Sequence, residues 1–90
     1  MPPTARALRA RCVILKRGDS MDWHSNLSRE ELLMAITGRV DVEVQVSARR
    51  RRQRRLLAGQ CAFLPAQTVH RVVNRSRTTA TYLYVTGPIR

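Results

Sequence analysis

Three side chains of this 90-residue chain have the chemistry to hold a metal ion together. His24 and His70 are its only two histidines, and Glu31 is one of six acidic residues. Two neutral imidazoles and one carboxylate, with further positions open to water or substrate, form the facial triad of non-haem iron sites, and they also suit manganese, zinc or nickel. Histidine must be deprotonated to bind a metal, so we expect occupancy to fall as the pH drops through its titration range.

The spacing of neighbouring residues predicts that these groups face one interior. Side chains two apart on a strand project from the same face, which places Leu33 beside Glu31 and Val72 beside His70. If a sheet curls closed with these faces inward, the two imidazoles and the carboxylate of Glu31 meet inside it. Leu33, Phe63, Val72 and Gln67 are then the candidates for lining the pocket.

Glycines frame the candidate ligands in two stretches of the sequence. Residues 18–38 read Gly-X5-His-X-Asn-X4-Glu-X6-Gly, and residues 59–74 read Gly-X5-Pro-X4-His-X3-Asn. This pattern resembles the two-part motif of the cupins, except that Asn26 stands where the family usually has a second histidine and Gln67 where it usually has glycine. The resemblance implies a small β-barrel with a metal site inside, and it does not identify a reaction.

Asn26 is the main departure from the family pattern, because an amide offers a weak neutral oxygen in place of a good nitrogen donor. Three consequences stay open at this point: Asn26 could be a loose fourth ligand, the site could have three protein ligands and an extra open position, or the site could be vestigial. We favour the three-ligand site, whose open position would receive substrate, oxygen or activated water.

Short alternating segments separated by turns dominate the rest of the sequence. No segment keeps a helical period, and the pattern indicates a sandwich or barrel. Together with the resemblance, it predicts an all-β fold, a small antiparallel β-barrel or jelly roll, forming one domain over residues 1–90. The predicted strands are residues 6–16, 32–37, 39–46, 55–57, 60–64, 69–74 and 78–86.

One predicted strand is apolar on both of its faces. Leu32, Met34 and Ile36 fall on one face, whereas Leu33 and Ala35 fall on the other. Both faces then need cover, and a chain of this length buries too little surface to be very stable alone. The outer cover must come from the N-terminal strand or from another subunit, and we expect a symmetric homodimer.

The formal net charge of +11 raises the question of a polyanionic partner. Six of the seventeen basic residues lie in Arg49–Arg55, and no aromatic residues are interleaved with them for stacking on bases. We therefore expect this segment to be the solvated tip of a hairpin and consider nucleic-acid binding the weakest of three hypotheses.

The sequence also bears on location and on the cysteines. No apolar run is long enough to span a membrane, and residues 1–11 do not have the form of a secretory signal, so we expect a cytoplasmic protein. Cys12 and Cys61 each lie in an apolar stretch, and we expect both thiols to be buried as small hydrophobic groups.

Three functions follow from these observations. The first is a small cupin whose divalent metal (iron, manganese, zinc or nickel) acts on a small molecule, as in dioxygenation or isomerisation. The second is a cupin that binds or senses a small ligand without turnover. The third is polyanion binding through Arg49–Arg55. The sequence does not decide whether the chain is an enzyme.

Overall fold

The structure is a computed structural model that describes residues 7–88. This range contains eight β-strands and no helix, so the prediction of an all-β chain is confirmed. Accordingly, no helix in these residues is long and apolar enough to cross a membrane. The strands are β1 (Arg9–Leu15), β2 (His24–Ser25), β3 (Arg29–Thr37), β4 (Arg39–Ser47), β5 (Arg50–Leu57), β6 (Cys61–Leu64), β7 (Val69–Val73) and β8 (Ala80–Pro88).

The strands form two antiparallel sheets of four, in the orders β1-β8-β3-β6 and β2-β7-β4-β5. The chain passes from one sheet to the other several times, as in a jelly roll. Alternate side chains of each strand point between the sheets, and there they form the core. Leu33 and Ala35 of β3 meet Val40 and Val42 of β4 in this core, and all four are almost fully buried.

Gly38 makes the change of sheet between β3 and β4 possible. It is the single residue between the two strands, and its φ of 72° lies in the left-handed region that favours glycine. A Cβ atom at this position would lie 2.9 Å from the backbone oxygen of Thr79 and 3.0 Å from Cα of Ala80. Any larger residue would therefore be strained twice, by its backbone conformation and by its contacts.

The arginine-rich segment is a strand, so its assignment as a hairpin tip was wrong. β5 pairs with β4 from Arg50 to Leu57, and only residues 48–49 turn between them. Backbone pairing with β4 does not depend on side-chain charge, and an edge strand keeps its arginines in water. Arg51 lies over the ring of Trp23, 5.1 Å from its centroid.

Two carboxylates are buried beneath arginines on the outer face of the β2-β7-β4-β5 sheet. Asp41 lies 3.3 Å from Arg55, while Glu43 lies 2.5 Å from Arg71 and 3.0 Å from Arg75. Burial raises the pKa of Glu43, but hydrogen bonds from Arg71 and Arg75 outweigh burial and hold that pKa below its ordinary value. These pairs neutralise part of the charge on this face.

The cysteines also differ from expectation. Cys12 is exposed and Cys61 is only partly buried, and both are free thiols. Their side chains point away from the core because Val13 and Ala62, their neighbours along the strands, are the residues that point inward. The apolar sequence around each cysteine reflects an outer face that is itself apolar.

Candidate metal centre

His24 and His70 lie side by side on two paired strands. β2 and β7 are antiparallel, and the two histidines are direct cross-strand partners, so their side chains project from the same face. Their ring centroids are 4.4 Å apart, and the ring planes are inclined by 57°. His70 is fully buried, whereas His24 is exposed at the mouth of the site.

Backbone carbonyl groups fix the orientation of both imidazoles. His24 Nδ1 lies 2.9 Å from the carbonyl oxygen of Asp22, and His70 Nδ1 lies 3.0 Å from that of Thr68. A carbonyl oxygen only accepts, so in the neutral imidazole each Nδ1 carries the hydrogen and donates it. The lone pair is then on Nε2 of both rings, which is the arrangement of metal-binding histidines.

Glu31 comes to the histidines from the opposite sheet. It lies on β3, is buried, and places Oε2 3.3 Å from His70 Nε2. His70 Nε2 is nevertheless buried without a hydrogen bond of acceptable geometry, the only such side-chain atom in residues 7–88. A buried polar atom without a partner is costly, and a metal ion would satisfy it.

The three candidate ligands converge at one point. One ligand atom each from His24, Glu31 and His70 lies within 4.8 Å of the others. Metal–ligand bonds of about 2.1 Å hold neighbouring donors roughly 3 Å apart, so an ion would draw the wider pairs together. The residues present therefore fit a divalent transition metal in donor type, tautomer and position.

The environment of His70 also determines how a proton would compete for Nε2. Burial lowers the pKa of His70, but the nearby Glu31 carboxylate and the Thr68 carbonyl together raise it by more, so the net shift is upward. A proton on Nε2 therefore competes with a metal ion for this nitrogen.

Asn26 is buried next to the site, but both ends of its amide contact the turn between β6 and β7. Its Nδ2 donates to the carbonyl oxygen of Pro65 at 2.8 Å, and its Oδ1 accepts from the backbone N–H of Thr68 at 2.9 Å. Thr68 in turn orients His70 through its carbonyl. Asn26 thus braces the segment that holds His70, a role that the spacing of the motif did not indicate.

A cavity of about 240 Å³ opens beside the three candidate ligands. Of the four residues expected to line it, only Val72 does so. Leu33 lies deeper in the core, while Phe63 and Gln67 are exposed elsewhere. The side chains that line the cavity besides the ligands are Met21, Ser25, Asn26, Leu27, Arg29, Val72, Tyr82, Tyr84 and Thr86.

The misplaced residues have simple physical explanations. Phe63 follows the strand alternation between buried Ala62 and Leu64, so it points to the outside and is 58% exposed. Gln67 lies in the β6–β7 turn with a φ of 62°, in the left-handed region that favours glycine. This conformation explains why glycine is usual at that position in the family.

Arg29 is the functional candidate that sequence reasoning missed. It lies two residues before Glu31 on β3, so the same alternation that places Glu31 inward places Arg29 in the cavity wall. Its Nε donates to Thr86 Oγ1 at 3.0 Å and its Nη2 to the Thr86 carbonyl at 3.0 Å, which fixes the guanidinium at the cavity. Tyr82, opposite Ala35 of β3, lines another part of the cavity wall, and burial raises the pKa of this phenol, as do the nearby charges of Tyr84 and Glu31.

The family model described as "Cupin domain" matches residues 11–86 of the chain. The chain belongs to the cupin family. The jelly-roll architecture and the framing glycines of this cupin thus have a common explanation. No curated protein matches the chain.

Several solved structures resemble this cupin in fold. A cupin 2 conserved barrel domain protein from Salinispora arenicola is 22% identical, with a TM-score of 0.77 over 97% of this chain and 68% of its own. TT1209 from Thermus thermophilus is 27% identical, with a TM-score of 0.80 over 94% of this chain and 76% of its own. Oxalate oxidase in complex with the substrate analogue glycolate is 19% identical, with a TM-score of 0.83 over 91% of this chain. This cupin spans only 42% of the oxalate oxidase chain, so that likeness shows the fold alone.

Proposed function

We propose that this cupin binds a divalent transition metal through His24, Glu31 and His70 and that a small molecule binds beside the metal in the 240 Å³ cavity. The observation that carries this proposal is the orphaned Nε2 of His70, a buried nitrogen that faces Glu31 without a hydrogen bond. Iron, manganese, zinc and nickel all accept two imidazoles and a carboxylate.

The metal has three protein ligands in this proposal, and Asn26 is not one of them. Both polar ends of its amide are engaged by Pro65 and Thr68. All three ligands line the cavity, so water or a substrate atom there would complete the coordination of a bound metal. A bound metal would supply Lewis-acid or oxygen-activating chemistry there.

The residues of the cavity wall favour a small carboxylate as the ligand. Arg29 provides a positive charge, and within residues 7–88 its Nη1 makes no hydrogen bond, which leaves this donor group for an anion. Tyr82 and Tyr84 add apolar ring surface and phenol groups to the wall. Oxalate oxidase, which shares the fold, was solved with the carboxylate glycolate, and this supports the same ligand class here.

Metal analysis of purified protein tests the binding part of the proposal. We expect about one transition-metal ion per chain, and loss of most of it in Glu31→Gln and His70→Gln, because each variant removes a donor from the set. Glu30→Gln is the matched control, since Glu30 is the adjacent exposed carboxylate on β3. Equal metal content in Glu31→Gln and Glu30→Gln would refute the assignment.

Turnover separates an enzyme from a binding protein. The metal-loaded protein is screened with small carboxylates for oxygen consumption and product formation, and Arg29→Gln is compared with the parent. Catalysis through this site requires that activity disappears in His70→Gln, and a role for Arg29 requires a raised KM in Arg29→Gln. Saturable binding of carboxylates without turnover would identify the non-catalytic alternative.

A further inference from the structure

A second cavity, of about 380 Å³, opens between β5 and β6, which are the last strands of their two sheets. We call it the edge cavity. It shares no lining residue with the cavity beside the candidate metal ligands, so the two are separate features of the same fold. Its volume lies within the range of about 300–1,000 Å³ that is usual for pockets that hold small molecules.

The inner wall of the edge cavity is apolar. Val42 and Val44 of β4 line it from one sheet, and Ala62 and Leu64 of β6 line it from the other. Val42, Ala62 and Leu64 are buried in the hydrophobic core, and Val44 packs against that core. An occupant of the cavity would therefore gain free energy by placing apolar groups against this wall.

Strand β5 turns two arginines toward this wall. The register sets Arg54 opposite Val42, and cross-strand partners lie on the same side of a sheet. It sets Arg52 opposite Val44 in the same way. Leu56, two residues beyond Arg54 on that side of β5, is fully buried. The inner face of β5 thus changes from core to positive charge where it reaches the edge cavity, and both arginines line the cavity.

Neither arginine is neutralised by the protein. Within residues 7–88, Arg52 and Arg54 make no ion pair and no side-chain hydrogen bond, and no carboxylate lines the edge cavity. On the outer face of the same sheet, by contrast, Arg55 lies 3.3 Å from Asp41. Inward-pointing charges on an edge strand can serve only to prevent pairing with another chain. That purpose does not require an apolar cavity beneath the charges, so the combination indicates an anionic ligand.

We propose that the edge cavity binds a small amphipathic carboxylate. The guanidinium groups of Arg52 and Arg54 hold the carboxylate head, and a hydrocarbon chain or ring of the ligand packs against the apolar wall. The two arginines are about 7 Å apart along the strand, so both long side chains can reach one head group. A phosphate head would carry up to about two charges and cost more free energy to bring to an apolar wall, which favours the singly charged carboxylate. The site needs no metal and is independent of the function proposed above.

Calorimetric titration of the metal-free protein with a matched set of probes tests the ligand class. Each additional CH₂ group should tighten binding roughly fourfold, so octanoate should bind roughly 15-fold more tightly than hexanoate. Octanol has the same chain length and no charge, and it should bind at least about tenfold more weakly than octanoate, because the charged hydrogen bonds are lost. Absence of octanoate binding, equal affinity of hexanoate and octanoate, or octanol as tight as octanoate would overturn the proposal.

Two double variants separate the arginines of the cavity from the positive charge of the whole protein. Arg52→Gln with Arg54→Gln should weaken octanoate binding at least about tenfold, because it removes both charges at the cavity. Arg49→Gln with Arg51→Gln is the matched control, since it removes two charges from the β4–β5 turn and the outer face of β5, outside the cavity lining. The control should bind octanoate with nearly wild-type affinity. Equal weakening in both double variants would reduce the effect to net charge and refute the proposal.

Amide chemical shifts establish where octanoate binds. In the wild-type protein the largest changes should occur at Val42, Val44 and Leu64, in the strands that form the wall of the edge cavity. The amides of His24 and Arg29, which line the cavity beside the candidate metal ligands, should change little. Changes centred on His24 and Arg29 would place octanoate in that other cavity, and changes centred on the exposed Leu32 would make binding a surface effect. Either result would contradict a ligand site in the edge cavity.

Discussion

Replacing Asn26 by histidine should separate two properties of the site, metal affinity and stability. The variant Asn26→His supplies the nitrogen donor that the family usually has at this position, so the metal gains a fourth protein ligand. The same change removes the amide that donates to the Pro65 carbonyl and accepts from the Thr68 N–H, at 2.8 and 2.9 Å. We therefore expect tighter metal binding and a less stable metal-free protein.

The structure gives the magnitude of the stability loss. Each of the two hydrogen bonds contributes about 1 kcal/mol net, so their loss costs about 2 kcal/mol. For a domain of this size, 1 kcal/mol corresponds to about 4–8 °C in Tm, and the metal-free variant should melt roughly 8–16 °C below the parent. Because changes around ligands alter affinity by about 10–100-fold, we expect at least a tenfold gain in metal affinity from a new ligand.

Asn26→Ala is the control that isolates the two effects. It loses the same hydrogen bonds and adds no donor, so its metal-free Tm should fall by a similar amount while its metal affinity does not rise. Calorimetric unfolding without metal and titration with zinc measure both quantities. If Asn26→His and Asn26→Ala bind zinc equally, the candidate centre is not where we place it. If neither variant loses stability, Asn26 does not brace the turn.

Three further changes test separate parts of the structure. Gly38→Ala should lower the free energy of unfolding in denaturant titrations by more than Gly18→Ala does. Both glycines have positive φ, which costs an alanine about 1–2 kcal/mol, but only at Gly38 does the new Cβ meet backbone atoms at 2.9–3.0 Å. Equal losses in the two variants would show that the close approach at Gly38 is not real. Gln67→Gly should raise the free energy of unfolding by up to about 1 kcal/mol, because glycine adopts the left-handed conformation at φ 62° without strain. The greater flexibility of glycine in the unfolded chain offsets part of this gain. A lower free energy of unfolding in the variant would show that Gln67 is not strained. Because the folded pKa of His70 lies above its unfolded value, the protonated imidazole stabilises the metal-free protein at low pH, and this contribution is lost as the pH rises through the raised pKa. Metal affinity must move in the opposite direction and fall as the pH drops through the same pKa. Unfolding titrations and metal titrations between about pH 5 and 8 measure how stability and metal affinity each change with pH. If both quantities changed with pH in the same direction, this linkage would be contradicted.

The fold could be predicted from the sequence because its signals are local. Alternation identifies β4, glycines mark the changes of direction, and the family pattern supplies the jelly roll. Only the end of β5, residues 55–57, was predicted as a strand, because the arginines before it resemble a solvated turn, and their pairing with β4 makes them part of the strand. This pairing cannot be read from the composition of β5 itself, because strand preference depends on the neighbouring strand.

The ligands of the candidate site were predictable from the sequence, but the wall of its cavity was not. Spacing indicated His24, Glu31 and His70, and the structure brings one ligand atom of each within 4.8 Å of the others. The pocket wall was not predictable, because alternation tells which residues share a face of a strand but not which strands meet around a cavity. Phe63 was assigned to the wrong face of β6. Strand alternation places Ala62 and Leu64 in the core and Phe63 between them on the outside.

Anomalous diffraction from crystals grown with zinc or manganese tests the central claim most directly, because it locates the ion itself. We expect one strong peak within about 2.3 Å of His24 Nε2, His70 Nε2 and a carboxylate oxygen of Glu31. Asn26 should still be bonded to Pro65 and Thr68 in the same map. A peak bound at any other position, or none between the two histidines and Glu31 at saturating metal, would contradict the account.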